Sequence, residues 1–167
     1  MRIPLFLIAF IWTGLSFAQQ SLDELLEQYN EESVPYVSAA QLADLQESDQ
    51  PLILLDARET EEYNTSHLPG AILVGYDNFD LQKFQRLNIS EDSQVVVYCT
   101  VGVRSEDIGE QLQQMGFKNV SNLKGGIVSW KNSGFPVYNQ EEQPTQRVHV
   151  YGPSWSIWLT NGIPTYD

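Results

Sequence analysis

Gln94-Val-Val-Val-Tyr98-Cys99-Thr100-Val101-Gly102-Val103-Arg104-Ser105 is the stretch whose reading decides the fold. Its opening is the most strongly β-prone run in the chain, three valines and a tyrosine whose branched and aromatic side chains suit a pleated surface. After the loop the period changes: Ile108, Leu112 and Met115 fall on one face of a helix that Gly116 stops. A strand therefore leads through a short loop into a helix, with the chain's one cysteine at the strand's end.

Working outward, the alternation repeats. Upstream, Pro51-Leu-Ile-Leu-Leu-Asp56 is an apolar run ending in a carboxylate, as buried parallel strands often do. Before it, Tyr36-Val37 reads as a short strand and Ser38 as the N-cap of a helix with Leu42 and Leu45 on one face. Between Asp56 and Gln94, residues 59–63 suit a short helix, 67–70 a turn, 71–74 a strand and 79–87 another helix. Downstream, residues 120–123 suggest a last strand and 127–131 a last helix, closed by Gly134 and Pro136. Strands alternating with helices imply an α/β fold with a parallel, doubly wound sheet. The 167 residues suffice for one such domain and are too few for two.

The two ends differ from this middle. Residues 1–18 read as a secretory signal: Arg2 supplies the positive charge, residues 3–15 are mostly apolar, and Ser16-Phe17-Ala18 matches a small-x-small cleavage site. The run is shorter than the roughly 20 residues of a spanning helix, so export with a mature start near Gln19 is expected, periplasmic or secreted, with no membrane attachment after cleavage. Residues 19–33 form a lead-in in which Leu22, Leu25, Leu26 and Tyr29 have helical spacing. The domain proper is expected over 34–138. Residues 139–146 read as a polar linker, followed by an aromatic C-terminal extension holding Tyr151, Trp155, Trp158 and Tyr166. Trp130-x-x-x-Gly134-Phe-Pro136-x-Tyr138 recurs there as Trp158-x-x-x-Gly162-Ile-Pro164-x-Tyr166. Either the tail packs its rings on the domain, or it is a duplicated terminal helix that docks on a protein partner.

Charge narrows the function. Lys and Arg number 9 against 22 Asp and Glu, a formal −13 that makes nucleic acid and anionic membranes unsuitable partners. No cofactor and no metal is called for by the sequence. A lone cysteine in an exported chain cannot close an internal disulfide, so it is buried, paired between chains, or reactive. Cys99 lies where open parallel sheets bind ligands, just beyond a strand's carboxyl end. The backbone amides of Thr100, Val101, Gly102, Val103, Arg104 and Ser105, with a helix start behind them, suit an anion cradle, and Arg104 adds a cation as anion ligand. Both favour a thiolate or a persulfide at Cys99.

At these residues the sequence resembles the rhodanese family, through three ordered stretches. The first is Leu54-Leu-Asp56-Ala-Arg58-Glu59-x-x-Glu62-Tyr63-x-x-Ser66-His67-Leu-Pro-Gly70-Ala71-Ile72, the second the Cys99 to Ser105 loop, the third Lys124-Gly125-Gly126-Ile-Val-Ser-Trp130 followed by Gly134-Phe-Pro136-Val137. The resemblance implies a five-stranded parallel sheet and a two-step sulfur transfer: a small sulfur donor loads the cysteine, and a thiol or cyanide-like acceptor unloads it. Asp56 and Arg58 match the family's supporting pair, and His67 its turn histidine, read here as structural. Four residues separate Cys99 from Arg104, whereas the related phosphatases use five, so the loop suits a sulfur atom better than a phosphoryl group. Family members that use thiosulfate tend to carry cations just after the cysteine and near the position of Glu62; Thr100, Val101 and Glu62 stand there instead, so thiosulfate is expected to be a poor donor. Glu59 and Glu62, at a helix start, are expected to be solvated and without a catalytic role. Two other classes of function stay open on the residues alone, a non-catalytic binding module and a thiol redox protein, the latter without a resolving cysteine.

Overall fold

A computed structural model describes residues 21–166. The signal expected over residues 1–18 and the mature start at Gln19 lie outside the described residues. Among those described, no helix is long and apolar enough to cross a membrane.

The body alternates as the sequence implies: β1 (Tyr36–Val37), α2 (Ala39–Glu47), β2 (Leu52–Asp56), α3 (Thr60–Thr65), β3 (Ile72–Leu73), α4 (Leu81–Gln85), β4 (Gln94–Tyr98), α5 (Arg104–Gln114), β5 (Asn119–Leu123) and α6 (Gly126–Asn132), preceded by α1 (Leu22–Tyr29). The five strands form one parallel sheet in the order β1-β5-β4-β2-β3. Its middle strands are covered on both faces, which explains their unbroken apolar runs. Leu54, Val96, Tyr98 and Leu123 point to one side, against Leu42, Ile127, Val128 and Trp130. Leu55, Val95, Val97 and Val120 point to the other, against Phe84, Ile108, Leu112 and Phe117. Because the sheet is parallel and flanked, the carboxyl ends of β2, β4 and β5 all open at one edge of the molecule, where loops feed the helices.

The lead-in is part of this body. Ser21 caps α1 in a reciprocal capping box with Glu24, and Leu25 and Leu26 are buried. The expected boundary at residue 34 is thus a boundary of motif and not of packing: Ser33 donates to Glu106 on α5 from both its backbone and its hydroxyl. Tyr29, the fourth residue of the expected apolar face, stays exposed.

Beyond α6 the chain keeps its order. The expected polar linker is a hairpin of β6 (Val137–Tyr138) with β7 (Pro144–Thr145). After it β8 (Arg147–His149) pairs in parallel with β9 (Ile163–Thr165) around a 3-10 helix, Pro153–Trp158. Val148 and Val150 are fully buried in the main core, with Trp155 and Trp158 packed against it. Burying each valine contributes about 1.5–3 kcal/mol, enough to fix the segment on the domain. The tail therefore packs its rings on the body, the first of the two readings. The sequence echo is not a duplicated α-helix: Trp130 fills the core from α6, whereas Trp158 ends a six-residue 3-10 turn. The two copies are laced together, with the Asn132 side chain donating to the Trp158 carbonyl and accepting from the Thr160 and Asn161 amides.

Candidate active site

Cys99 directly follows the central strand β4, and its loop is shaped by what its carbonyls meet. The first helical amides of α6 have no partner inside their own helix. Ile127 N donates to the Cys99 carbonyl at 3.0 Å and Val128 N to that of Thr100 at 3.2 Å. Such closeness requires glycine: a Cβ on Gly126, at φ +52°, would lie 2.3 Å from the Cys99 oxygen. The Gly102 carbonyl in turn accepts the side-chain amides of Asn30, after α1, and Asn122, on β5, both at 2.8 Å. In a planar trans peptide N–H and C=O point opposite ways, so the amides of Thr100, Val101 and Val103 are turned away from these carbonyl partners. Gly102, at φ +109°, aims its own N–H at Cys99 Sγ, 3.1 Å away. Ser105 Oγ lies 3.5 Å from the same sulfur while donating to Asn122 Oδ1 at 2.8 Å. Cys99 itself is buried, 1% exposed, and lines the cleft above it.

Arg104 and Glu62 depart from expectation. Glu62 is not a solvated helix-start residue: it is 4% exposed and binds Arg104 with two parallel bonds, Nη1 to Oε2 and Nη2 to Oε1, both 2.8 Å. Thr100 Oγ1 donates to Glu62 Oε1 at 3.2 Å and accepts from Arg104 Nη2 at 3.0 Å. Arg104 is consequently not the open anion ligand expected: both its terminal nitrogens are committed to a carboxylate, and its charge is matched. A bidentate guanidinium–carboxylate pair is among the stronger polar contacts and holds the loop in register with α3. Burial raises the Glu62 pKa, but Arg104, Arg58 and the Glu59 amide outweigh it and hold the carboxyl below its ordinary value. Burial likewise opposes the Arg104 charge, and Glu62 with Cys99 more than restores it.

The sign of the pH effect follows. A carboxyl depressed in the folded state contributes stability that is full above its unfolded pKa, about 4.5, and is lost as pH falls through the lower folded value. Glu62→Gln is expected to lower stability at pH 7 by about 2 kcal/mol and to flatten the acid limb below pH about 4.5. Denaturant titrations at pH 7 and pH 3 check this; an unchanged difference between the two pH values would mean the pair does not anchor the loop.

Asp56 and Arg58 lie behind the loop as a fully buried pair. Arg58 Nε donates to Asp56 Oδ1 at 2.9 Å and Nη2 to Oδ2 at 2.6 Å, with a further bond to the Ser66 carbonyl at 2.6 Å. Tyr98 Oη donates to Asp56 Oδ2 at 2.5 Å and accepts the Leu68 amide. Burial and the Asp56 charge push the Tyr98 phenol well above its ordinary pKa, so it is a neutral donor. The pair thus joins β2, β4 and the 66–68 turn and does not reach the sulfur. His67 stacks on Tyr63 at 4.0 Å, and its turn pairs with Tyr138, a structural role.

Over Cys99 lies a cleft of about 310 Å³, lined by Cys99, Thr100, Val101, Val103 and Arg104 below, and by Glu59, Tyr76, Asp77, Tyr151 and Trp155 around it. Tyr76 Oη donates to Asp107 Oδ2 at 2.6 Å; that bond, with burial, pushes its pKa up to about 12. Of the loop residues singled out in the sequence, Gly102 and Ser105 meet the sulfur, and the rest frame the cleft or its floor. The sequence did not place Asn30, Asn122, Tyr76, Tyr151 or Trp155 at the site. Tyr151 and Trp155 stood out only as part of the aromatic tail, and Glu62 only as an acid where a cation was to be expected.

Comparison with known proteins identifies the fold and the family. A family model described as Rhodanese-like domain matches residues 38–133. The "Putative sulfur carrier protein YrkF" of Bacillus subtilis is 31% identical over 102 residues, 60% of this chain and 53% of that protein. The "tRNA uridine(34) hydroxylase" of Streptococcus thermophilus is 41% identical over 85 residues, 49% of this chain and 26% of the relative. Among solved structures, a thiosulfate sulfurtransferase from Pseudomonas aeruginosa superposes with a TM-score of 0.60 at 26% identity, covering 71% of this chain and 22% of that one. The rhodanese-like domain of an Anabaena protein gives 0.57 at 26%, covering 65% and 83%. The chain belongs to the rhodanese-like family. It spans about half of the sulfur carrier relative and a quarter of the hydroxylase.

Proposed function

We propose that this protein is a sulfurtransferase in which Cys99 carries a sulfane sulfur as a persulfide. The observation that carries the reading is the buried Sγ at the floor of an open cleft, accepting the Gly102 amide at 3.1 Å inside a loop whose carbonyls are drawn outward. In the first step the Cys99 thiolate attacks the sulfane sulfur of a small donor; the donor's S–S bond breaks, and its thiol or sulfite leaves with the electron pair. In the second a thiophilic acceptor, a thiol or cyanide, attacks the outer sulfur and Cys99 departs as thiolate. The amides of residues 100–105 stabilise the persulfide charge, and Arg104, held by Glu62, positions the loop. We also propose that the chain is exported, on the signal-like character of residues 1–18.

Intact mass after exposure to a sulfane-sulfur donor, with Cys99→Ser beside the wild type, tests the reading. The wild type gains one sulfur atom, which cyanide removes as thiocyanate, and the variant gains none. No gain from thiosulfate, inorganic polysulfide or an organic persulfide would overturn it and favour a binding module. The N-terminal residue of protein recovered outside the cytoplasm, expected near Gln19, checks export.

A further inference from the structure

The cleft above Cys99 has walls that sulfur transfer by itself does not require. Tyr151 and Trp155 come from the C-terminal extension, and with Tyr76, Val101 and Val103 they make most of the lining apolar or aromatic. Tyr151 stands 64% exposed at the mouth, yet its backbone is left-handed, φ +67°, a conformation that a bulky residue keeps only when its surroundings impose it. Those surroundings are the fully buried Val148 and Val150, the Val150 amide on the Thr165 carbonyl at 2.9 Å, and the Tyr151 amide on His149 Nδ1 at 3.3 Å. The ring so aimed lies over the Arg104 guanidinium, 5.5 Å from its centre, and meets Trp155 edge-on at 6.0 Å. Trp155 meets Trp158 in the same way at 5.4 Å.

Charge points the same way. Arg104, the cation lining the cleft, is matched by Glu62, while Glu59 and Asp77 add carboxylates to the rim. Beyond the amides at the sulfur itself, a charged body entering meets no unmatched cationic side chain in the lining; an uncharged ring meets three aromatic side chains. At about 310 Å³ the cleft lies at the small end of ligand sites, sized for a single-ring molecule.

We infer that the cleft selects its sulfur partner by an uncharged aromatic or apolar body, a low-molecular-weight thiol or its persulfide, seated against Tyr151, Trp155 and Tyr76 with its sulfur on Cys99. The inference rests on Cys99 carrying sulfane sulfur. In the discharging step the thiolate RS⁻ attacks the outer sulfur of Cys99–S–SH, the bond to Sγ breaks, and RS–SH and the Cys99 thiolate result, with no outside oxidant or reductant.

The test loads full-length protein with inorganic polysulfide, confirms one added sulfur by mass, and follows discharge to phenylmethanethiol, to the anionic 3-sulfanylpropanoate and to cyanide. Each rate is divided by that of the same nucleophile with a small-molecule persulfide, which removes intrinsic reactivity. Phenylmethanethiol is expected to be favoured over the anionic thiol by about tenfold or more, the scale of one or two aromatic contacts. In Trp155→Ala and Tyr151→Ala the ratio of phenylmethanethiol to cyanide rates falls several-fold, and Trp155→Phe restores most of it. Equal corrected rates for the two thiols, or an unchanged ratio in both alanine variants, would overturn the inference while leaving sulfur transfer intact. A wild type that takes up no sulfur at all would instead remove the reading on which the inference rests.

Discussion

Arg58→Ala is expected to lower the unfolding free energy by about 3–5 kcal/mol, the usual cost of stripping one partner from a buried ion pair. Both side chains are fully buried, and Asp56 accepts three bonds from Arg58, counting the backbone amide at 3.0 Å. Without the guanidinium the Asp56 carboxylate keeps the Tyr98 hydroxyl and one amide, too little to replace water. The Ser66 carbonyl loses its donor as well. Since small domains are stable by only about 5–15 kcal/mol, the variant is expected to unfold at far lower urea, or to fail to accumulate. Asp56→Leu combined with Arg58→Met removes both charges and should cost less than Arg58→Ala alone. An unfolding free energy lowered by less than about 1 kcal/mol in urea titration of the single variant would show that the pair is hydrated and not a structural tie.

Gly126→Ala is expected to reduce the rate of sulfur loading on Cys99 by about 100-fold, the scale on which a displacement near 1 Å penalises a reacting group. Its Cβ would lie 2.3 Å from the Cys99 oxygen and 2.6 Å from that of Thr100, backbone atoms that cannot swing aside as a side chain would. Relief requires α6 to move off the loop, which breaks the Ile127 and Val128 amide bonds to the same two carbonyls and releases the peptides they orient. Gly134→Ala provides the contrast. That residue is also left-handed, φ +88°, but an added Cβ meets nothing within 4 Å, so only the conformational cost of about 1–2 kcal/mol applies. Loading kinetics by mass on both variants separate contact from conformation. If Gly126→Ala loads at the wild-type rate, the approach of α6 does not shape the site.

The sequence alone established the order of strands and helices from β1 to α6, the place of Cys99 beyond a central strand and the glycine-bearing turn into a helix. These are local properties: side-chain period, β-branching and cap residues act within a few positions of one another and are legible without knowing what lies across the molecule. The Asp56 and Arg58 pair was marked only by the resemblance to the rhodanese family, since no local period singles it out. What only the tertiary structure decided lies between distant segments. Glu62 looks like a solvated helix-start acid until α3 is laid beside the Cys99 loop, where it takes up Arg104 and changes the electrostatics of the site. Asn30 and Asn122 converge on one carbonyl from opposite sides of the loop in sequence. The aromatic tail showed its composition but not its address. Where Tyr151 and Trp155 come to rest is fixed by Val148 and Val150 entering the core and by β8 pairing with β9, contacts that no periodicity in the chain records.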